Sequence, residues 1–470
     1  MVMTMFVGRK EELSLLSECM ESNRAELVFV YGRRRVGKTE LLTEACRHRE
    51  HVFSASREAP LQDQLKAFSR EMFRAGAPAG RYLDTYQTWE DALLDIQNLP
   101  FKGKKIVVID EFPYLVKSDP SLPSVLQNVW DASLKQCDIT LVLCGSSMSF
   151  IEKELLSEKN PLYGRATVIL KLAPLPYWDA AKFFPSYSAK ERTVAYAILG
   201  GSPHYLLQFD PELSVAQNVV KSIFRRGAAL YSETEFLMRQ EFRETSVYNA
   251  LVQAIALGAT KLSEISQKTM IPTQKASVYL KNLIEVGLVE REFPVGAGIQ
   301  EQTKGARGLY RIVDPFFRFW YAFVFTNLTA LEAGDAEGVW RYEVEPELNA
   351  FSASPFEAIC RSWMQQQNQT GGLPYRCSEI GRWWSDSAEI DILAKASRGK
   401  RAVAGECKFR NAAVGDRTLR NLKEKTDGFA WNVTDWYLFS KDGFTDHLKE
   451  LAAHEETVHL VGIEELYVDC

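Results

Sequence analysis

The apolar run Leu27-Val28-Phe29-Val30-Tyr31 empties into Gly32-Arg33-Arg34-Arg35-Val36-Gly37-Lys38-Thr39, and the helix-forming stretch Glu40–Cys46 follows at once. Strand, glycine-bounded loop and helix, in that order, commit this part of the chain to an α/β sheet whose loop wraps phosphate. The spacing is GxxxxGKT. Gly32 and Gly37 let backbone N–H groups, Val36 included, close around phosphate oxygens. Lys38 reaches the β and γ oxygens, and the Thr39 hydroxyl is placed to ligate magnesium. ATP and Mg²⁺ are therefore the expected cofactors.

Two further strands fit the same sheet. Ile106-Val107-Val108-Ile109 ends in Asp110-Glu111, the pattern of a magnesium-holding carboxylate followed by one that orients or deprotonates the attacking water. Ile139–Cys144 runs into Gly145-Ser146-Ser147, where the Ser146 hydroxyl can sense the γ-phosphate or can serve as an ordinary helix cap.

The segments FVGRKEEL, GRRRVGKTEL, VVIDEFPYL, LCGSS, NPLYGR and LGGSPHYL, in that order, resemble the AAA-type ATPases of an archaeal and bacterial family whose proteins carry a winged helix and a nuclease-like tail. The resemblance implies that Gly8 and Arg9 sit by the nucleotide. It also implies that the Gly201-Ser202-Pro203 turn approaches the adenine from a helical lid, which places Pro203 in the binding site. Arg165 resembles the arginine given to the γ-phosphate, often across a subunit boundary, which would make the protein a homo-oligomer. A structural arginine before the strand Thr167–Leu170 is the other reading of that residue.

From Glu244 the pattern changes to short helices at Tyr248–Ala256, Lys261–Thr269 and Thr273–Val286, the spacing of a helix-turn-helix. Ala276, Tyr279, Leu280 and Leu283 would face inward and Gln274, Lys275, Ser277 and Lys281 outward. A strand from Val286, a flexible loop from Gly296 to Gly308 and the return Leu309–Ile312 complete a winged helix, which either docks DNA or packs between modules. The aromatic run Asp314–Tyr321 is expected to be buried. Gly334 to Gly338 is the expected linker into the tail.

In the tail, the alternation in Glu389-Ile390-Asp391-Ile392 puts Ile390 and Ile392 on one face and both acids on the other. After a turn at Ser397-Arg398-Gly399, Glu406 and Lys408 share a face of the next strand, and folding that strand back brings Asp391 near Glu406. Two carboxylates and an ammonium in this arrangement can hold Mg²⁺ at Asp391 and Glu406 and direct water at a phosphodiester, with Lys408 offsetting developing charge. The D…ExK pattern resembles the restriction-endonuclease-like, PD-(D/E)xK, superfamily, with Ile390-Asp391 where proline-aspartate is expected. Ser354-Pro355-Phe356-Glu357 opens a helix. Glu357 matches the helical glutamate of many such nucleases, and it equally completes an S-x-x-E capping box. Glu389 is a second ligand or a surface charge.

The chain of 470 residues is too long for one core. The expected architecture is an α/β P-loop NTPase parallel sheet (1–175) with a helical lid (176–243), a winged-helix domain (244–333) and a C-terminal α/β restriction-endonuclease-like domain (334–470). The overall charge of −5 argues against a uniform nucleic-acid coat, yet Arg398 to Lys425 holds nine basic side chains against three acidic ones, so a phosphate backbone is expected to dock there. Eight cysteines without a CxxC pair read as reduced, mostly buried thiols. No apolar run reaches membrane-spanning length and the amino terminus lacks a signal-peptide pattern, so no membrane partner and a cytoplasmic location are expected. Two functions follow. One is an Mg-dependent ATPase coupled to nucleic-acid binding or cleavage by the tail. The other is a nucleotide-dependent switch with a DNA-binding winged helix and an inert tail.

Overall fold

The computed structural model describes residues 6–155, 157–158, 160–305 and 307–468. The chain divides into two compact units. The first comprises Met1–Leu175, Ser202–His204 and Glu285–Gly287, and the second Pro176–Gly201, Tyr205–Ile284 and Leu288–Cys470.

The first unit is built on five parallel strands, β1 (Glu26–Tyr31), β2 (His51–Ala55), β3 (Lys105–Asp110), β4 (Ile139–Gly145) and β5 (Val168–Lys171), in the order β2-β3-β4-β1-β5. All residues of β1 and β4 are buried, as expected of central parallel strands covered on both faces. Alternate side chains feed two cores. Leu27, Phe29, Val107, Ile109, Leu141 and Leu143 pack on one face. Val28, Val30, Ile106, Val108 and Val142 pack on the other, against Leu41 and Leu42 of the helix Lys38–Ala45. The carboxyl ends of β1, β3 and β4 consequently deliver the glycine loop, Asp110 and Ser146 to one edge of the sheet, where open α/β sheets bind ligands.

In the second unit the three expected helices form at Thr245–Ala256, Leu262–Thr269 and Thr273–Glu285, followed by the antiparallel ribbon β6 (Val289–Glu292) and β7 (Leu309–Ile312). Ala276, Leu280 and Leu283 are fully buried, Tyr279 is half-buried, and Gln274, Lys275 and Lys281 are exposed. The stretch expected to be a flexible loop contains the helix Ile299–Lys304. It is also tied down, because Val295 N–H donates to the Arg382 carbonyl at 2.9 Å and a side chain at Gly296 would collide with Trp431. The linker reading of Gly334–Gly338 is likewise corrected, since Asp335 caps a short helix that begins at Ala336. Phe316, Phe317, Phe319, Trp320 and Tyr321 are buried, as expected.

The C-terminal sheet holds β8 (Cys377–Trp384), β9 (Glu389–Ala396), β10 (Arg401–Lys408), β11 (Asn432–Ser440) and β12 (Val458–Gly462), in the order β12-β11-β10-β9-β8. β8, β9 and β10 pair antiparallel; β10, β11 and β12 pair parallel. The long helix Leu348–Thr370 covers one face through Phe356, Ile359 and Met364, and the helix Asp416–Thr426 covers the other through Leu419 and Leu422.

Two expectations in the tail fail for local reasons. The capping box at Ser354 does not form, because the helix starts at Leu348 and Pro355 lies inside it. Proline has no N–H to give the carbonyl four residues back. Here the Arg318 guanidinium donates to the Phe351 carbonyl at 2.9 Å and covers the Phe351 ring, so the position tolerates proline. Ile390 and Ile392 do not share a face either. Ile390 packs with Leu419 and Leu422, whereas Ile392 packs with Phe356 and Ile359. Leu393 pairs with Gly381 but Ile390 with Trp383, so β9 carries one extra residue, a β-bulge at Asp391.

Seven of the eight cysteines are free and all but Cys137 of these are buried; Cys470 lies outside the described residues. Among the described residues no helix is long and apolar enough to cross a membrane.

Candidate functional site

At the edge of the first sheet, a side chain at Gly32 would meet the Leu172 carbonyl at 2.3 Å, and Gly37 adopts φ 86°. Both positions therefore require glycine. Lys38 is buried and donates to the Gly32 and Arg33 carbonyls, each at 3.0 Å. Burial pulls its pKa below the ordinary lysine value. The Thr39 hydroxyl donates to Asp110 Oδ2 at 2.7 Å, while Oδ1 accepts the Glu111 N–H at 2.9 Å. A hydroxyl and a carboxylate meeting at one point are hard oxygen donors of the kind magnesium selects, so these residues fit that ion.

Glu111 stands at φ 54°, a costly backbone conformation for a residue with a side chain. Its Oε2 accepts the Ser146 N–H at 3.2 Å and the Ser146 hydroxyl at 3.0 Å. β3 and β4 thus hold the two residues that flank the loop. Arg9 is buried next to Gly8, both at positive φ, and its guanidinium donates to the carbonyls of Val36 at 3.1 Å and Ala173 at 2.6 Å. It braces the loop. Pro203 lies 3.5 Å from where a Gly37 side chain would begin. Arg165 is engaged within its own chain, with Nε and Nη2 on Asp131 at 3.0 and 2.6 Å and Nη1 on the Pro161 carbonyl at 2.7 Å. Behind Asp110 the Cys144 thiol is pushed well up by burial and by the Asp110 charge.

The second constellation lies where β9 and β10 run side by side. Gly405 pairs with Ile392, so the register brings Glu406 opposite Asp391. Asp391 Oδ2 accepts the Cys407 N–H at 2.8 Å, a contact the bulge permits. Its carboxyl is held above the usual range by burial and by the Glu406 charge. Glu406 is buried, and its carboxylate is occupied by Lys408 at 2.7 Å on Oε1 and by Lys425 at 3.2 and 3.0 Å on Oε1 and Oε2. Burial lowers the Lys408 pKa, but the Glu406 contact outweighs it and leaves the ammonium above its ordinary value.

Glu357, on the long helix, is pushed up to about 7 by burial and by the Asp391 charge. Arg361, one turn further, lies 3.7 Å from Glu357 and donates to the Asp391 carbonyl at 3.2 Å. Glu389 is instead drawn to Arg382, which also holds Glu292 at 3.0 Å. The structure thus brings Glu357, Asp391, Glu406 and Lys408 together and leaves Glu389 on an exposed ion pair. Lys425 is legible in the sequence only as part of the basic stretch, and Arg361 was not singled out. Their signals were available: Lys425 follows Leu422 by three residues, and Arg361 follows Glu357 by four, each a neighbouring position on a helix.

The tail's donor set does not fit a divalent cation as folded. Both Glu406 oxygens already carry ammonium groups, and among the described residues no group of three His, Cys, Asp or Glu is disposed to hold a metal ion. Within the basic stretch Arg420 pairs with Asp416, Lys423 with Glu455, and Arg401 lies over the Tyr375 ring, while Arg398, Lys400, Arg410 and Arg417 are exposed.

Residues 6–209 match a family described as an ATPase domain predominantly from Archaea, and residues 320–424 match a family of archaeal and bacterial proteins of unknown function. An uncharacterised protein of Methanocaldococcus jannaschii is 35% identical over 420 residues, covering 89% of this chain and 90% of its own. An uncharacterised ATP-binding protein of the same organism is 58% identical over 38 residues, 8% of this chain and 64% of its own. The Walker-type ATPase of Pyrococcus abyssi shares the fold, with a TM-score of 0.53 at 21% identity, over 67% of this chain and 96% of that one.

Proposed function

Because the chain belongs to the family of that Methanocaldococcus jannaschii protein and carries an ATPase domain of the archaeal type, we propose that it binds and hydrolyses ATP with Mg²⁺ and couples the cycle to binding or cleavage of nucleic acid by its C-terminal unit. The contact between Thr39 and Asp110 at 2.7 Å carries the first half of this reading, since it joins the ends of two separate motifs at one point. Thr39 and Asp110 would hold magnesium, whose charge would offset that of the phosphates. The backbone from Gly32 to Gly37 cradles phosphate, and Lys38 turns from its two carbonyls toward the β and γ oxygens. Glu111, kept in place by Ser146, orients the attacking water. Gly8, Arg9 and Pro203 border the nucleotide. Arg165 reaches the γ-phosphate of a neighbouring copy once released from Asp131, so hydrolysis depends on a homo-oligomer.

Nuclease-like chemistry in the tail rests on Asp391, Glu406 and Lys408 meeting across β9 and β10, with Glu357 beside them. DNA is the proposed partner. A second reading, a nucleotide-dependent switch with a DNA-docking winged helix and an inert tail, is favoured by one observation: Lys425 and Lys408 together occupy Glu406. Purified protein should hydrolyse ATP with Mg²⁺, and Asp110→Asn should abolish it. Cleavage of single- and double-stranded DNA with Mg²⁺ or Mn²⁺, lost in Asp391→Ala while ATP hydrolysis persists, would select the first reading of the tail. No cleavage with or without ATP would select the second.

A further inference from the structure

The helix Asp416–Thr426 presents Lys425 from its last turn, and the position is held from behind. Leu419 and Leu422 are buried in the sheet face, the Thr426 hydroxyl donates to the Leu422 carbonyl at 3.2 Å, and Lys423 is tied to Glu455 at 2.8 Å. The Lys425 ammonium is therefore delivered by a packed element. It sits astride Glu406, 3.2 Å from one oxygen and 3.0 Å from the other. A divalent cation bound by this carboxylate would approach along the same line. Lys408 already satisfies Oε1 at 2.7 Å. In the phosphate-loop site, by contrast, the donors to Asp110 are a hydroxyl and a backbone N–H.

We propose that Lys425 is a built-in counter-cation that closes the Asp391–Glu406 pair to divalent metal. The side chain does by position what an ion would do by binding: it sets a positive charge against both oxygens of Glu406. With Lys408 on Oε1, Oε2 is free for metal only if the Lys425 ammonium leaves, so this helix controls access to that oxygen. This inference rests on the nuclease-like reading of the tail, because it assigns Lys425 a role toward the metal that such a site would use.

The test is titration of the full-length, nucleotide-free chain with Mn²⁺, followed by the electron paramagnetic resonance signal of the free ion. Lys425→Met should acquire one Mn²⁺ site that wild type lacks, at least tenfold tighter than any Asp391-dependent binding in wild type. That gain should disappear in the Lys425→Met, Asp391→Asn double variant. Lys425→Gln repeats the measurement with a neutral donor available to Glu406 Oε2, and Lys425→Arg, which keeps the charge, should remain closed. Lys423→Met, on the same turn, should change nothing. An Asp391-dependent Mn²⁺ site in wild type as tight as in Lys425→Met would overturn the proposal, as would folded Lys425→Met and Lys425→Gln proteins that gain none. Cleavage assays on the metal-loaded variant separate the two readings: metal gained without DNA cutting leaves the closure standing and removes the nuclease.

Discussion

The two carboxylate sites of this protein use opposite partners. At the end of β3, Asp110 and Glu111 accept hydrogen bonds from Thr39, Ser146 and backbone N–H groups, while the buried lysine of the loop spends its protons on carbonyl oxygens. Neutral donors orient a carboxylate and leave its full charge to attract a cation. Between β9 and β10, ammonium groups from Lys408 and Lys425 cancel the charge of Glu406, and burial holds Glu357 and Asp391 toward their neutral forms. The first pair of acids is oriented by hydroxyl and backbone donors; in the second, Glu406 is paired with ammonium groups of its own chain. Acidic residues at strand ends therefore mean different things according to what donates to them.

The sharpest way to break this contrast is at the loop. Lys38→Ala should reduce ATP hydrolysis by roughly 10²–10³-fold, the cost of removing a donor aimed at developing charge; a steady-state assay that finds less than tenfold would show that Lys38 does not serve the phosphates. Next comes the proton that the second site carries. Glu357 titrates at about 7 in the folded chain against an ordinary value of 4.5, so the folded state binds a proton that the unfolded state has lost. The stability this contributes is complete below about pH 4.5 and is lost as pH rises through about 7. Glu357→Gln cannot lose that proton. Its melting temperature should match wild type near pH 4.5 and exceed it increasingly toward pH 8, and parallel curves would show that the carboxyl is charged throughout. The smallest effect belongs to Ser146→Ala, which removes one hydroxyl donor from Glu111 but leaves the Ser146 backbone N–H. A loss of about 1 kcal/mol, or roughly fivefold in kcat, is expected, with KM for ATP unchanged.

How much of this could be read from the sequence differs between the sites for the same physical reason. The loop, Asp110 and Ser146 each terminate a strand of the parallel sheet, and parallel strands bring their carboxyl ends to one edge without any knowledge of register. The tail depends on register. Asp391 and Glu406 were placed together by folding one strand onto the next, but the bulge that separates Ile390 from Ile392 comes from pairing with β8, which the alternation within β9 cannot reveal. Lys425 is 19 residues from Glu406 and meets it only because an intervening helix packs on the sheet. Ser354-Pro355-Phe356-Glu357 looked like a helix start because proline is favoured at the first position. The extra turns before it depended on a donor outside the segment.

That donor, Arg318, lies 33 residues before the carbonyl it serves. The first turns of the long helix are thus not self-sufficient local structure. Until the aromatic segment that carries Arg318 docks, the Phe351 carbonyl relies on water, so burying these first turns is coupled to docking that segment. The same dependence binds their histories. A chain that gave up Pro355 would regain its own N–H and release Arg318 to vary, whereas a chain that gave up Arg318 first would leave a buried carbonyl unsatisfied and be selected against.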